Sequence, residues 1–267
     1  LKRIIGFIGC GKMAQAMIGG ILRSNTVHSQ QIIASARSQE TIDQAAAKFQ
    51  IQATANNRLV AEQADVLFLA IKPNLHAQII EEIKHSIKKD AIIITIAAGI
   101  SLQFLEEAFH QQIKAIRSMP NTPSLVGEGM SAICANEDVT KEELEEVIHI
   151  FSSFGKVEVI EEKLMNAIPA ISGSAPAYVY MFIEALADGG VKNGLTREQS
   201  YHLAAQAVLG AAKMVLETGK HPGELKDEVC TPGGATIEAV AALEKTGFRA
   251  AVLSAMESCT EKTTSLS

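Results

Sequence analysis

The chain holds 267 residues, of which 47% are apolar, 4% aromatic and none tryptophan, and its formal net charge is −6. An acidic balance with no basic run and no interleaved aromatic platform excludes general nucleic-acid binding. A length of this order favours two domains over one, with Ala, Ile, Leu and Val carrying the packing.

Lys2-Arg3 followed by an apolar run imitates the start of a signal peptide, but Gly6, Gly9 and Gly11 interrupt the run and Lys12 ends it. The longest apolar run, residues 91–100, is too short to cross a bilayer, so no membrane partner is expected. Short runs rich in Ile and Val predict strands at residues 4–8, 31–36, 66–71, 92–97 and 115–117. Ala-rich amphipathic stretches between them predict helices over 13–23, 39–49, 75–87 and 102–110. Continuous apolar strands alternating with helices indicate a parallel sheet covered on both faces. Two more strands, 130–134 and 157–159, flank a helix over 141–154 that Gly155 is placed to end.

From residue 161 the strand signals vanish, and helices are predicted over 164–171, 177–193, 199–218, 235–245 and 248–263. Thr196 and Gln199 fit a capping box, and Gly219 is placed to end the helix they open. Ala204, Val208, Ala211 and Val215, with Ala207 and Ala212 alongside, give that helix an apolar face of small residues suited to close helix contact, within the chain or between copies. The expected fold class is therefore α/β. A Rossmann-type, mainly parallel sheet domain spans residues 1–160, and an all-helical domain spans 161–267. The four cysteines, Cys10, Cys134, Cys230 and Cys259, are scattered without a CxxC pair or a histidine at metal-ligand spacing. They read as free thiols of a reducing compartment, with a cytoplasmic location and no metal expected.

Gly9-Cys10-Gly11-Lys12-Met13-Ala14 falls after a strand and at the head of a helix, the G-x-G-x-x-A form of the dinucleotide fingerprint. Gly9 allows the tight turn, Gly11 lets backbone approach a pyrophosphate, and Ala14 lets helix and sheet pack closely. The phosphates would sit on amides at the helix N-terminus. The second strand ends Ala34-Ser35-Ala36-Arg37-Ser38, without the carboxylate that holds the 2′-hydroxyl of NAD. Arg37 with the hydroxyls of Ser35 and Ser38 fits a 2′-phosphate instead, so NADPH is the favoured cofactor and NADH the alternative. Ala70-Ile71-Lys72-Pro73 and Ala97-Ala98-Gly99 each follow a later strand. In open α/β sheets ligands lie beyond the carboxyl ends of strands, so both turns are placed to line the nicotinamide half. The alternative reading of Lys72 is an ordinary exposed lysine.

One loop stands apart: Thr231-Pro232-Gly233-Gly234 interrupts two helix-like segments with residues that offer nothing to pack. With GFIGCGKMA, DVLFLAIKP, AAG, MPNTP, SGSAPAY, ALADGGVKNGL, HPGELKDEV and TPGGAT in order, the chain closely resembles the pyrroline-5-carboxylate reductase family over nearly its whole length. That resemblance implies NAD(P)H-dependent reduction of the cyclic imine 1-pyrroline-5-carboxylate to L-proline, the last step of proline biosynthesis. It also implies a homodimer through the helical domain, which in some members assembles further. Carried over by motif, cofactor contacts fall at Cys10, Lys12, Met13, Ala36, Ser38, Asn57, Ile71, Lys72, Ala98 and Glu228, and substrate contacts at Ala235, Thr236 and Glu162. Under this resemblance the amides of Thr231, Gly234 and Ala235 would bind the substrate carboxylate without a cation. Thr236 would present its hydroxyl to the ring nitrogen and is the one catalytic candidate.

Some positions depart from the family pattern. Glu228 stands where relatives often carry an amide, Ala175 where Gly or Ser is common, and Pro169 where Thr is common. Lys163 and Asn166 imitate the K-x-x-N spacing of two-domain hydroxyacid dehydrogenases, but the Gly-rich approach to such a lysine is missing. A non-catalytic dinucleotide sensor that kept the fold is the other competing reading.

Overall fold

The structure is a computed structural model and describes residues 1–265. The last two positions of the 161–267 expectation lie outside the described residues. By compactness the chain forms two units: Leu1–Ser174 with the chain from Cys259 onward, and Ala175–Ser258. This grouping keeps residues 161–174 with the sheet.

The first unit is built on strands β1 (Ile5–Ile8), β2 (Ile32–Ser35), β3 (Gln52–Thr54), β4 (Val66–Leu69), β5 (Ile92–Thr95), β6 (Lys114–Met119), β7 (Gly129–Ala135) and β8 (Gly155–Val159). Their order across the sheet is β3-β2-β1-β4-β5-β6-β7-β8. All neighbours run parallel except β6 and β7, which pair antiparallel. The period of two in a strand sorts its side chains onto two faces. Ile5 and Phe7 of β1, with Val66 and Phe68 of β4, join one apolar cluster, while Ile8, Leu67 and Leu69 join the other. Phe7 and Phe68 stack at 4.7 Å between centroids, and Phe151 tilts onto Phe68 at 5.7 Å.

Helices α1 (Lys12–Arg23) and α6 (Lys141–Ser152) supply Met17, Ile18, Val147 and Phe151 to the first cluster. Helix α2 (Gln39–Phe49) adds Ala45. Helices α3 (Asn57–Gln63), α4 (His76–Ile83) and α5 (Leu102–Phe109) supply Val60, Ile80, Ile83 and Leu105 to the second. Apart from the helix expected over 164–171, the expected strands and helices of this unit are present, and β3 and α3 are additions. Gly155 does not end α6. The helix stops at Ser152, and Gly155 instead opens β8 in register with Gly129 of β7. The helix expected over 164–171 is also replaced. Glu162–Ala167 winds as a 3₁₀ turn, followed by a π turn over Pro169–Gly173 closed by the Ser174 amide on the Pro169 carbonyl.

The second unit is all helix: α7 (Ala175–Lys192), α8 (Arg197–Thr218), α9 (Pro222–Val229), α10 (Ala235–Lys245) and α11 (Phe248–Thr264), the last belonging here up to Ser258. The Thr196–Gln199 capping box opens α8, and Gly219 at φ +65° ends it. Helix α9 was not expected, because its first turn is His221-Pro222-Gly223; His221 Nδ1 accepts the Gly223 amide and Pro222 needs no partner there. Among the described residues of this unit only Ala187, Ser200 and Ala204 are buried, and Met181, Leu216 and Leu253 are 70%, 79% and 67% exposed.

Candidate active site

The strand order reverses between β1 and β4, and ligands of such sheets bind beyond the carboxyl ends at that switch point. Gly9 leaves β1 there at φ +94°, with its amide on the Ser35 carbonyl at 3.1 Å. A Cβ on Gly9 would stand 2.4 Å from the Ala70 oxygen, so the turns after β1 and β4 touch through bare backbone. Gly11 is the N-cap of α1, no side chain caps the helix, and nothing lies within 4 Å of where its Cβ would be. The open amides of the first turn thus face free space, where the helix dipole favours an anion. Lys12 is exposed, Met13 is half-buried, and Ala14 is buried against the sheet as expected. Cys10 is buried, and burial pushes its thiol pKa up, so only its backbone is available to a ligand.

Ala36, Arg37 and Ser38 follow β2. Arg37 is exposed, while Ser38 Oγ accepts the Thr41 amide as the N-cap of α2. Ser35 is corrected as a phosphate contact, because it is buried and donates to Asn57 Oδ1 at 2.7 Å. Asn57 Nδ2 in turn donates to Glu82 at 3.1 Å. The sheet therefore sets the Asn57 side chain from both ends.

Ala70 binds back to Ile8 through its amide at 2.8 Å, leaving Ile71, Lys72 and Pro73 to form the turn into α4. Lys72 and Pro73 are exposed, Ala97 is buried and Ala98 is half-buried. Behind these turns lies a group with no sequence signal as a site residue. His76 is fully buried, with Nδ1 3.2 Å from the Lys72 carbonyl and Nε2 3.0 Å from Thr95 Oγ1.

Glu162 has left open solvent for a fixed partnership. Its Oε1 accepts the Leu102 amide at 2.7 Å, capping α5, and lies 3.5 Å from Arg117 Nη1. Arg117 is buried and donates to Asn166 at 2.6 Å. Lys163 points elsewhere, paired with Glu161 and largely exposed. A general-base lysine on a long helix, as the hydroxyacid dehydrogenase reading requires, is not formed by this 3₁₀ segment.

In the helical unit, Thr231-Pro232-Gly233-Gly234 is a β-turn with proline second and a glycine at φ +68° third, the type II arrangement. The Gly234 amide closes it on the Thr231 carbonyl at 3.0 Å. This corrects one expected contact: the Gly234 N–H is spent inside the turn and cannot serve a ligand. A Cβ on Gly234 would meet Thr231 Oγ1 at 2.4 Å, which explains the glycine. Gly234 is the N-cap of α10 without a side-chain cap, so Ala235 and Thr236 begin the helix uncapped. Thr236 is half-buried, and its hydroxyl makes no hydrogen bond to any described residue. Glu228, on α9, is ion-paired with Lys220.

A mainly parallel sheet with a glycine turn and an uncapped helix at its switch point defines a dinucleotide-dependent oxidoreductase. Residues 4–99 match the family model for NADP oxidoreductase, coenzyme F420-dependent, and residues 162–266 match that for pyrroline-5-carboxylate reductase dimerisation. The pyrroline-5-carboxylate reductase of Escherichia coli (strain K12) is 48% identical over 100% of this chain and 99% of its own. Among solved structures, the Plasmodium falciparum pyrroline carboxylate reductase with NADP bound is 34% identical at a TM-score of 0.90, covering 99% of this chain and 98% of that one. The Coxiella burnetii pyrroline-5-carboxylate reductase is 33% identical at a TM-score of 0.93, covering 100% and 99%. The chain belongs to the pyrroline-5-carboxylate reductase family and is an oxidoreductase acting on a C=N bond.

Proposed function

We infer that this chain reduces 1-pyrroline-5-carboxylate to L-proline with NADPH, as the closing reaction of proline synthesis in the cytoplasm. One observation carries the reading: the match to the Escherichia coli reductase runs the full chain, through both the nucleotide turn and the TPGGAT turn. The direct test adds pyrroline-5-carboxylate to pure protein with NADPH, follows the loss of reduced cofactor and identifies proline; no consumption overturns the assignment.

NADPH supplies the hydride that the imine carbon accepts. Backbone at Gly9, Cys10, Gly11, Lys12 and Met13 would hold the pyrophosphate on the α1 dipole. Ala36, Arg37 and Ser38 would hold the adenosine end, with Asn57 set beside them by Ser35 and Glu82. The turns Ala70–Pro73 and Ala97–Ala98 would line the nicotinamide. With the Gly234 amide spent, the substrate carboxylate is assigned to the amides of Thr231 and Ala235, joined by the uncapped amide of Thr236. Glu162, fixed by Leu102 and Arg117, would present its carboxylate at a defined place on the substrate side. Glu228, paired with Lys220 within the helical unit, is carried over from the family as a nucleotide contact. An iminium already carries positive charge, so orientation matters more than a strong acid, and the free hydroxyl of Thr236 orients the ring nitrogen.

Thr236→Ala is expected to lower kcat/KM at least about tenfold, roughly 1.4 kcal/mol of transition-state stabilisation. Because Gly234, not Thr236, is the helix N-cap, the variant keeps its fold, and wild-type rates in it remove the assignment. Arg37→Ala is expected to erase the preference for NADPH over NADH by about tenfold, in line with the loss of one charge-assisted bond. An unchanged ratio of the two efficiencies takes Arg37 out of the site.

The helical unit also supports a homodimer. Helices α7, α10 and α11 enclose a groove of about 510 Å³ lined by Met181, Phe182, Leu243, Phe248 and Val252, and nearly all of it is apolar. With three buried residues among the described ones, this unit leaves most of its apolar side chains exposed, and a second copy would cover them. Dimers may be counted directly by sedimentation, and larger assemblies of dimers by the same measurement.

A further inference from the structure

We propose that His76 and Thr95 form a positioning device that sets the two turns at the nicotinamide end of the nucleotide site, deepening the reading given under the proposed function. Neither residue is assigned to touch cofactor or substrate.

The carbonyl of Lys72 can only accept, so the His76 nitrogen 3.2 Å from it, Nδ1, carries the ring proton. The other nitrogen then offers its lone pair to the Thr95 hydroxyl 3.0 Å away. That hydroxyl oxygen accepts the Ala97 amide at 3.2 Å. A single chain of bonds results: Ala97 N–H to Thr95 hydroxyl, Thr95 hydroxyl to imidazole, imidazole to Lys72 carbonyl. Its two ends are the turn after β4 and the turn after β5. Ser118 Oγ donates to the Thr95 carbonyl at 2.8 Å and holds the end of β5 from the β6 side.

His76 and Thr95 are both fully buried, and burial lowers the histidine pKa, which suits the neutral ring this arrangement needs. An apolar pair would fill the same space without polar groups to desolvate. What the polar pair adds is a fixed separation between two backbone turns, since a satisfied buried network has one geometry.

The test titrates NADP⁺ against the pure protein without substrate, beside KM values and melting temperatures. His76→Phe keeps a ring and loses both nitrogens; Thr95→Val keeps shape and loses the hydroxyl. Each is expected to weaken NADP⁺ about tenfold, with the imine KM within about twofold of wild type. The double variant should be no weaker than either single one, because the two groups act in series. Thr95→Ser, which keeps the hydroxyl, should recover most of the affinity, whereas His76→Asn, which can replace only the Nδ1 bond and leaves the Thr95 hydroxyl without its acceptor, should not. Wild-type NADP⁺ affinity in folded variants overturns the proposal. So does a loss shared equally by imine and nucleotide that follows the melting temperature. If His76→Phe does not fold, the Thr95 pair decides alone. Failure of the wild type to reduce the imine would strike the proposed function and leave this titration informative.

Discussion

Gly9→Ala is expected to cut kcat/KM for NADPH by roughly a hundredfold or more and to lower the melting temperature by several degrees. Two costs combine. The backbone at Gly9 sits at φ +94°, where a side chain is strained by about 1–3 kcal/mol. The added methyl also meets the Ala70 oxygen at 2.4 Å and Ile71 Cγ2 at 3.0 Å. Ala70 cannot retreat, because its amide is bound to Ile8 in the sheet. Relief must then come from moving both turns that surround the nucleotide. Gly11→Ala is the control. Its φ is −74° and its surroundings are open, so the fold should be untouched while the KM for NADPH rises. Equal melting temperatures for wild type and Gly9→Ala would show that the two turns are not locked together.

Met181→Asp or Leu253→Asp is expected to convert dimers to monomers and abolish activity. Both positions are about two-thirds exposed or more in the single chain, where a polar substitution should cost within about 0.5 kcal/mol. In the proposed dimer the same positions would become interior. The substitution then loses up to about 3 kcal/mol of side-chain burial and buries a carboxylate as well. Stability should also rise with protein concentration in the wild type, as for any dimer whose protomer is marginal alone. A monomeric wild type, or a fully active Leu253→Asp protein, would refute the pairing.

Much of this was legible because β1, β4 and β5 carry short runs rich in Ile, Leu, Val and Phe between polar, Ala-rich helices. Residues 5–8, 66–69 and 92–95 needed no tertiary knowledge. Strand β3 was missed because Gln52-Ala53-Thr54 lies at the sheet edge, half-exposed, with no apolar run to betray it. Helix α9 opens on Pro222-Gly223, residues that ordinarily mark a break, and it is the His221 side chain that caps it. The 164–171 segment looked helical by composition, but Pro169 lacks an amide and the chain there widens into a π turn. At the site, the glycines announced the turns, whereas bond ownership stayed invisible. That the Gly234 amide is consumed by Thr231, or that Ser35 serves Asn57, depends on where atoms meet. His76 carries no spacing signal at all, since its partners are a backbone carbonyl and a threonine 19 residues away.

The sulfur in the phosphate turn has a chemical corollary. Cys10 lies in the same apolar cluster as Phe7 and Met17, and Cys134, also sealed inside, has its pKa pushed up to about 11 by burial. Peroxides and electrophiles consume thiolates, and neither residue offers one near neutral pH. A nucleotide turn whose one sulfur is sealed in this way keeps its phosphate-facing backbone out of thiol oxidation.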